Sequence, residues 1–277
     1  MTEFLTVDGG TLAYEVTGAS GPLVVLAHGM GDSREAYRFV VPLLVEAGYR
    51  VAAVDLRGCG ESSVDWPDWS RTAIAGDLIA IIRHLGGPAV LVGHSISGGA
   101  ATIVAAQAPE LVSAVVELAP FTRKQSYALG DLGVARFRKG LISLLGATVF
   151  GSVAQWRRYL EVATPGVRPA DWASRLGEIE AMLREPGRLK ALQKMGQAAP
   201  VDAGAALPRV QSPVLIIEGD QDPDWASPQA EGEAIVAALP SGRGRLEMIA
   251  GAGHYPHAQF PEQVVALMLS FLETARA

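Results

Sequence analysis

Apolar residues along this chain follow two alternating periods, and the alternation predicts an α/β fold. The stretch PLVVLAHG (22–29) is almost continuously apolar, as a strand covered on both faces must be. RVAAVDL (50–56), residues 89–93 and 112–118, PVLIIEGDQD (213–222) and residues 245–249 repeat that pattern. Between them lie stretches with helical spacing. One runs over 33–47 and is ended by Gly48. Another, WSRTAIAGDLIAIIRHLGG, places Ile74, Leu78, Ile81, Ile82 and Leu85 on one face and stops at Gly86-Gly87. Further helices are expected over 96–108, near 228–239, and over 261–277, the last opening with proline at N1. At the amino end, FLTVDG and TLAYEVTG read as two strands of a hairpin joined at Gly9-Gly10. Eight strands alternating with helices imply an α/β fold: a mostly parallel eight-stranded sheet, right-handed crossovers, and helices on both faces.

The rhythm breaks after Pro120. Residues 121–208 contain helical stretches and no buried-strand run, and the strand pattern resumes at Pro213. The expected organisation is a core of residues 1–120 and 209–277 with a helical cap, or lid, inserted over 121–208. Phe121, Tyr127, Phe137, Phe150, Trp156, Tyr159 and Trp172 fall in the insertion. They suggest either an apolar pocket roof or the insertion's own small core. The chain has no internal repeat and no low-complexity tract.

Composition narrows the function classes. With 277 residues and 49% apolar content the chain can bury a sizeable core. It carries 23 basic and 29 acidic residues, a net charge of -6, so bulk charge attracts neither nucleic acid nor an anionic membrane. One cysteine, Cys59, excludes an intrachain disulfide and supplies too few thiolates for a zinc knuckle. The start, MTEFLTVDGG, lacks the charged and apolar regions of a signal peptide, and no apolar run is long enough to span a bilayer. A cytoplasmic protein without membrane insertion or a nucleic-acid partner is expected. No phosphate-loop or dinucleotide motif occurs, the histidines lack ligand spacing with carboxylates, and neither cofactor nor metal is expected. Oligomeric state is left open.

Candidate chemistry concentrates in VLVGHSISGGAA (90–101). A serine is a poor nucleophile until a base takes its proton, and it must project from the fold to meet a substrate. A sharp strand-to-helix turn achieves this and tolerates only small neighbours two positions away. Ser95 follows an apolar strand, and its neighbours at that spacing are Gly93 and Ser97. The following helix would aim N–H groups at a developing oxyanion. The same segment also fits a serine N-cap. Its partners favour catalysis. Asp220, Asp222 and Asp224 follow one buried strand, and His254 and His257 follow the last one. Acid then histidine, both beyond the carboxyl ends of parallel strands, is the chain order that a serine hydrolase on an open sheet requires.

At these residues the chain resembles the α/β-hydrolase superfamily. LAHGMGDS is similar to its oxyanion loop, DLRGCGESS to the turn after its fourth strand, GHSISGG to its nucleophile elbow, GDQD to its acid loop and GAGHYPH to its histidine loop. The resemblance implies Ser95 as nucleophile, His254 as base, Asp222 as orienting acid, and the backbone N–H groups of Met30 and Ile96 as the oxyanion hole. Ser97 departs from the usual glycine. Similar G-x-S-x-S elbows occur in the branch resembling plant hormone-receptor hydrolases.

Other residues have competing readings. Asp220 is a rival acid, Asp224 is expected to cap a turn or face solvent, and Glu117 could serve as an acid after the sixth strand. His257 would line the pocket or be exposed. His28 and His94 read as architectural, His84 as a helix-end residue, and Asp55 and Arg57 as braces. Cys59 has no base beside it. The expected function is a serine hydrolase cleaving a small, largely apolar ester, thioester or lactone through an acyl-enzyme. A ligand receptor or accessory protein with slow or no turnover is the alternative from another class. A carbon–carbon bond hydrolase and a cofactor-free perhydrolase are cousins on the same triad. Epoxide hydrolases and haloalkane dehalogenases of this superfamily place aspartate where Ser95 stands.

Overall fold

The computed structural model describes residues 1–126 and 128–276. Eight strands form one sheet: β1 (Glu3–Val7), β2 (Gly10–Thr17), β3 (Leu23–Ala27), β4 (Arg50–Val54), β5 (Ala89–His94), β6 (Val112–Leu118), β7 (Val214–Gly219) and β8 (Gly244–Ile249). Their spatial order is β1-β2-β4-β3-β5-β6-β7-β8. The pairs β1/β2 and β2/β4 are antiparallel and every other pair is parallel.

The helices are α1 (Val40–Glu46), α2 (Arg71–His84), α3 (Ile96–Gln107), α4 (Ala135–Thr148), α5 (Val153–Ala163), α6 (Trp172–Arg184), α7 (Arg188–Gln197), α8 (Val201–Ala206), α9 (Pro228–Ala238), α10 (Pro256–Gln259) and α11 (Pro261–Arg276). Strand alternation explains their division between two layers. Leu23, Val25 and Ala27 of β3 join one core with residues of α2, α3 and α9, whereas Val24 and Leu26 join a second core with α1 and α11. Each fully buried Leu, Ile or Val contributes roughly 1.5–3 kcal/mol of transfer free energy.

The single helix expected over 33–47 is instead a 3-10 turn, Arg34–Tyr37, followed by α1. Pro42 gives the reason. In a helix begun at Ser33 it would occupy the interior and delete a backbone bond. Starting at Val40 places it in the first turn, where N–H groups have no intrahelical acceptor.

Between β6 and β7 lie α4 to α8. Trp156, Tyr159, Leu160, Leu176, Ile179, Leu183 and Leu192 form a third apolar cluster there, joined by Tyr255. Trp156 and Tyr159 are thus core residues, and Phe137 is buried. Phe150 is 82% exposed and belongs to neither a roof nor a core, because it follows α4 on that helix's outward side. Tyr127 lies outside the described residues. Among the described residues no helix is long and apolar enough to cross a membrane.

Candidate active site

Parallel register carries the motif loops to one edge. Ala27 lies opposite Gly93, His94 opposite Leu118, and Gly219 opposite Ile249. The chain leaves β3 toward β4 on one side and reaches β5 on the other, so the loop with Met30 and the turn with Ser95 meet at the topological switch point, where open α/β sheets bind ligands.

Ser95 has φ 55 and ψ -118, a conformation that costs a non-glycine residue on the order of 1–3 kcal/mol. Three backbone bonds hold it. Its N–H donates to Leu118 O, and its carbonyl accepts from the N–H groups of Gly98 and Phe121, all at 3.0 Å. A Cβ at Gly93 would stand 2.2 Å from Ser97 O, so the turn requires glycine there. Ser97 replaces the other small neighbour without crowding. It is fully buried, and its hydroxyl donates to His28 O at 2.6 Å, tying α3 to the loop after β3. Gly29 lets the same loop approach closely, since a Cβ there would lie 3.2 Å from Ser95 Cβ.

Ser95 lies at a cavity of about 280 Å³ that is also lined by Met30, Ile96, Phe121, Leu144 and Met195. The two residues expected to supply oxyanion donors therefore border the same space as the hydroxyl. Of the insertion's aromatic residues, Phe121 is the one among these lining residues.

His254 and Asp222 come together as expected: Nδ1 donates to Asp222 Oδ2 at 2.8 Å, and both residues are buried. Asp222 Oδ1 accepts from the Asp224 N–H at 2.8 Å. The His254 backbone N–H donates to Ala163 O, the carboxyl end of α5. Burial opposes a charge on this imidazole, but Asp222 and then Asp224 outweigh it and raise its pKa to about 9. Among the described contacts the Ser95 hydroxyl makes no hydrogen bond to the His254 ring. Such bonds often tighten only when substrate is bound.

Asp224 corrects the sequence reading. It neither caps a turn nor faces solvent. It is 4% exposed, with Oδ2 3.1 Å from His254 Nδ1 and accepting from Tyr159 OH at 2.6 Å. Burial pushes its carboxyl pKa up, and neighbouring Asp222 adds to this. The three acids at alternate positions in DQDPD were the signal, but burial by α5 comes from 65 residues away. Asp222, Asp224 and His254 offer donor atoms within 4.8 Å of one another. The 2.8 Å contact between Asp222 and His254 is a hydrogen bond, whereas ligands about 2.1 Å from a tetrahedral ion would stand about 3.4 Å apart.

The rival residues have other work. Asp220 Oδ1 accepts from the Gly251 N–H. Glu117 is sealed beneath Thr102 and Thr122, and burial raises its pKa to about 7. His28 donates from Nδ1 to Gly29 O and accepts the Leu56 N–H at Nε2, an architectural role. His94 donates from Nε2 to His254 O at 2.8 Å, bracing the histidine loop. His257 is fully buried rather than exposed, its ring 5.0 Å from that of Tyr37. The His84 ring meets Tyr14 OH at 3.0 Å. Arg57 pairs with Asp77, and Asp55 binds Arg34 and the Glu61 N–H. Cys59 is buried, which pushes its thiol up to about 12 and leaves no nucleophile.

Comparison with known proteins agrees with this architecture. The sequence model of the Alpha/beta hydrolase family matches residues 24–267. Over 118 residues the chain is 35% identical to Bifunctional epoxide hydrolase 2 of Sus scrofa, covering 42% of this chain and 21% of that protein. It is 27% identical to a "Probable esterase" of Oryza sativa subsp. japonica, over 91% of each sequence. The structure of a thermophilic esterase from Thermogutta terrifontis (malate bound) has a TM-score of 0.75 at 25% identity and covers 100% of both chains.

Proposed function

We propose, from the premise that this chain belongs to the α/β-hydrolase family, that it is a serine hydrolase acting on a small, largely apolar ester, thioester or lactone. One observation carries the reading. A strained serine borders a cavity together with Met30 and Ile96, on the sheet edge where His254 is bonded to Asp222. In the first step Ser95 Oγ bonds to the substrate carbonyl carbon while its proton passes to His254 Nε2. The N–H groups of Met30 and Ile96 take the oxyanion charge. His254 then returns the proton to the leaving alkoxide or thiolate as the acyl–oxygen or acyl–sulfur bond breaks. Water, deprotonated by the same imidazole, releases the acid and restores Ser95. Asp222 holds the tautomer and balances the imidazolium.

Residues 121–208 act in this reading as the cap, and a cavity of about 280 Å³ suits a substrate of modest size. Similarity to the pig epoxide hydrolase covers a minority of either chain, and Ser95 stands where an epoxide-opening relative would carry aspartate. A second reading, a ligand receptor with slow turnover, draws on the burial of Ser95.

A panel of p-nitrophenyl esters of rising acyl length tests the proposal. Turnover is expected for short apolar acyl groups, falling as the chain outgrows the cavity. A base must be neutral to accept a proton, and the pKa of His254 is raised, so kcat/KM is expected to climb with pH toward about 9. No turnover of any ester, or a preference for charged acyl groups, overturns the hydrolase assignment as stated. A single turnover with tight product retention favours the receptor.

A further inference from the structure

The loop after β7 brings two carboxylates to His254 where one suffices. Asp222 Oδ2 is 2.8 Å from Nδ1, and Asp224 Oδ2 is 3.1 Å from the same atom. Resting on the reading of His254 as the base, we propose that Asp224 is a second positioning acid, sharing the Nδ1–H with Asp222 and linking the base to helix α5 through Tyr159.

The contacts around Asp224 support a role directed at the imidazole. Its Oδ2 accepts from Tyr159 OH and lies 3.1 Å from His254 Nδ1, while its Oδ1 is buried with no hydrogen-bond partner among the described residues. An ionised carboxylate so placed is costly unless a positive charge faces it. The imidazolium formed during acyl transfer is that charge, and 3.1 Å is close enough for strong attraction in a dry site. Tyr159 is itself fixed: it is 1% exposed, and its ring stacks on Trp156 at 5.0 Å and 23°. The hydroxyl donor therefore arrives only when α5 is seated, and α5 also receives the His254 N–H at Ala163 O. The charge on the base is in this way coupled to the position of the inserted helices.

Other titratable groups face the cluster. His94 and Tyr255 place their rings 4.9 and 5.5 Å from that of His254. His257 stands behind His94, with ring centroids 4.6 Å apart. Burial lowers the pKa of both His94 and His257, so neither supplies positive charge. Glu218 is buried nearby, and burial raises its pKa first, with Asp222 adding to that. The carboxylates that meet the ring directly are Asp222 and Asp224.

The test compares the wild-type chain with Asp222→Asn, Asp224→Asn, the double variant and Tyr159→Phe. Imidazole titration by NMR is followed alongside ester turnover and labelling of Ser95 by a fluorophosphonate. Asp224→Asn is expected to move the His254 titration at least about one pH unit toward acid, with Tyr159→Phe moving it less in the same direction. Amidating the acid of a one-carboxylate triad costs about ten-thousand-fold. Here Asp222→Asn should lose only about 10- to 100-fold, and the double variant should fall the full distance. The proposal is overturned if Asp224→Asn changes only the melting temperature and leaves the titration in place, or if Asp222→Asn is as slow as the double variant. The titration needs no turnover. An unlabelled wild-type Ser95 with a shifted titration would sink the nucleophile reading and leave the shared proton standing.

Discussion

Ser95→Ala is expected to reduce ester hydrolysis by about ten-thousand-fold or more and to move the melting temperature by no more than a few degrees. The two effects separate because the proposed mechanism uses the hydroxyl and the fold does not. It makes no hydrogen bond among the described contacts, whereas the strained backbone of residue 95 is held by Leu118, Gly98 and Phe121. Alanine can keep those bonds. Residual catalysis would come from oxyanion donors and substrate binding alone. Steady-state kinetics against a p-nitrophenyl ester, with a thermal melt of the same preparation, checks the result. A variant retaining a tenth of wild-type turnover would remove Ser95 from the mechanism.

The second large effect is on stability. Trp156→Ala should cost about 3–5 kcal/mol, since it removes a fully buried ring from the apolar cluster between β6 and β7. The ring stacks on Tyr159, and a Cβ at Gly31 would lie 2.8 Å from it, so it also braces the loop beside Met30. A fall in melting temperature of about 10 °C is expected for a chain of this size. Turnover should drop as well, because Tyr159 loses its stacking partner while it holds Asp224. A melting temperature within 2–3 °C of wild type, roughly 1 kcal/mol at this chain size, would show that the ring carries little of the cluster's stability.

The sheet was legible because strands covered on both faces must be apolar throughout, and 22–29, 50–56 and 213–222 say so without context. That the loops carrying Ser95, Asp222 and His254 share one sheet edge was legible because parallel strands place successive loops there. What the sequence concealed depends on contacts across long separations. Asp224 looks like any loop acid until Tyr159 of α5 covers it. Ser97 looks like a weakened elbow until its hydroxyl meets His28 O. Phe150 reads as one more aromatic of a roof or a core, yet it is exposed just past the end of α4. The break in 33–47 was present in the sequence as Pro42, and only its placement in the first turn of α1 makes it permissible.

The most direct measurement is to treat the protein with a fluorophosphonate and locate the adduct by peptide mass spectrometry. The account predicts stoichiometric modification at Ser95, slowed at least about a hundredfold in His254→Ala, where no base withdraws the hydroxyl proton. Modification at another side chain, or equal labelling rates with and without the imidazole, would contradict it.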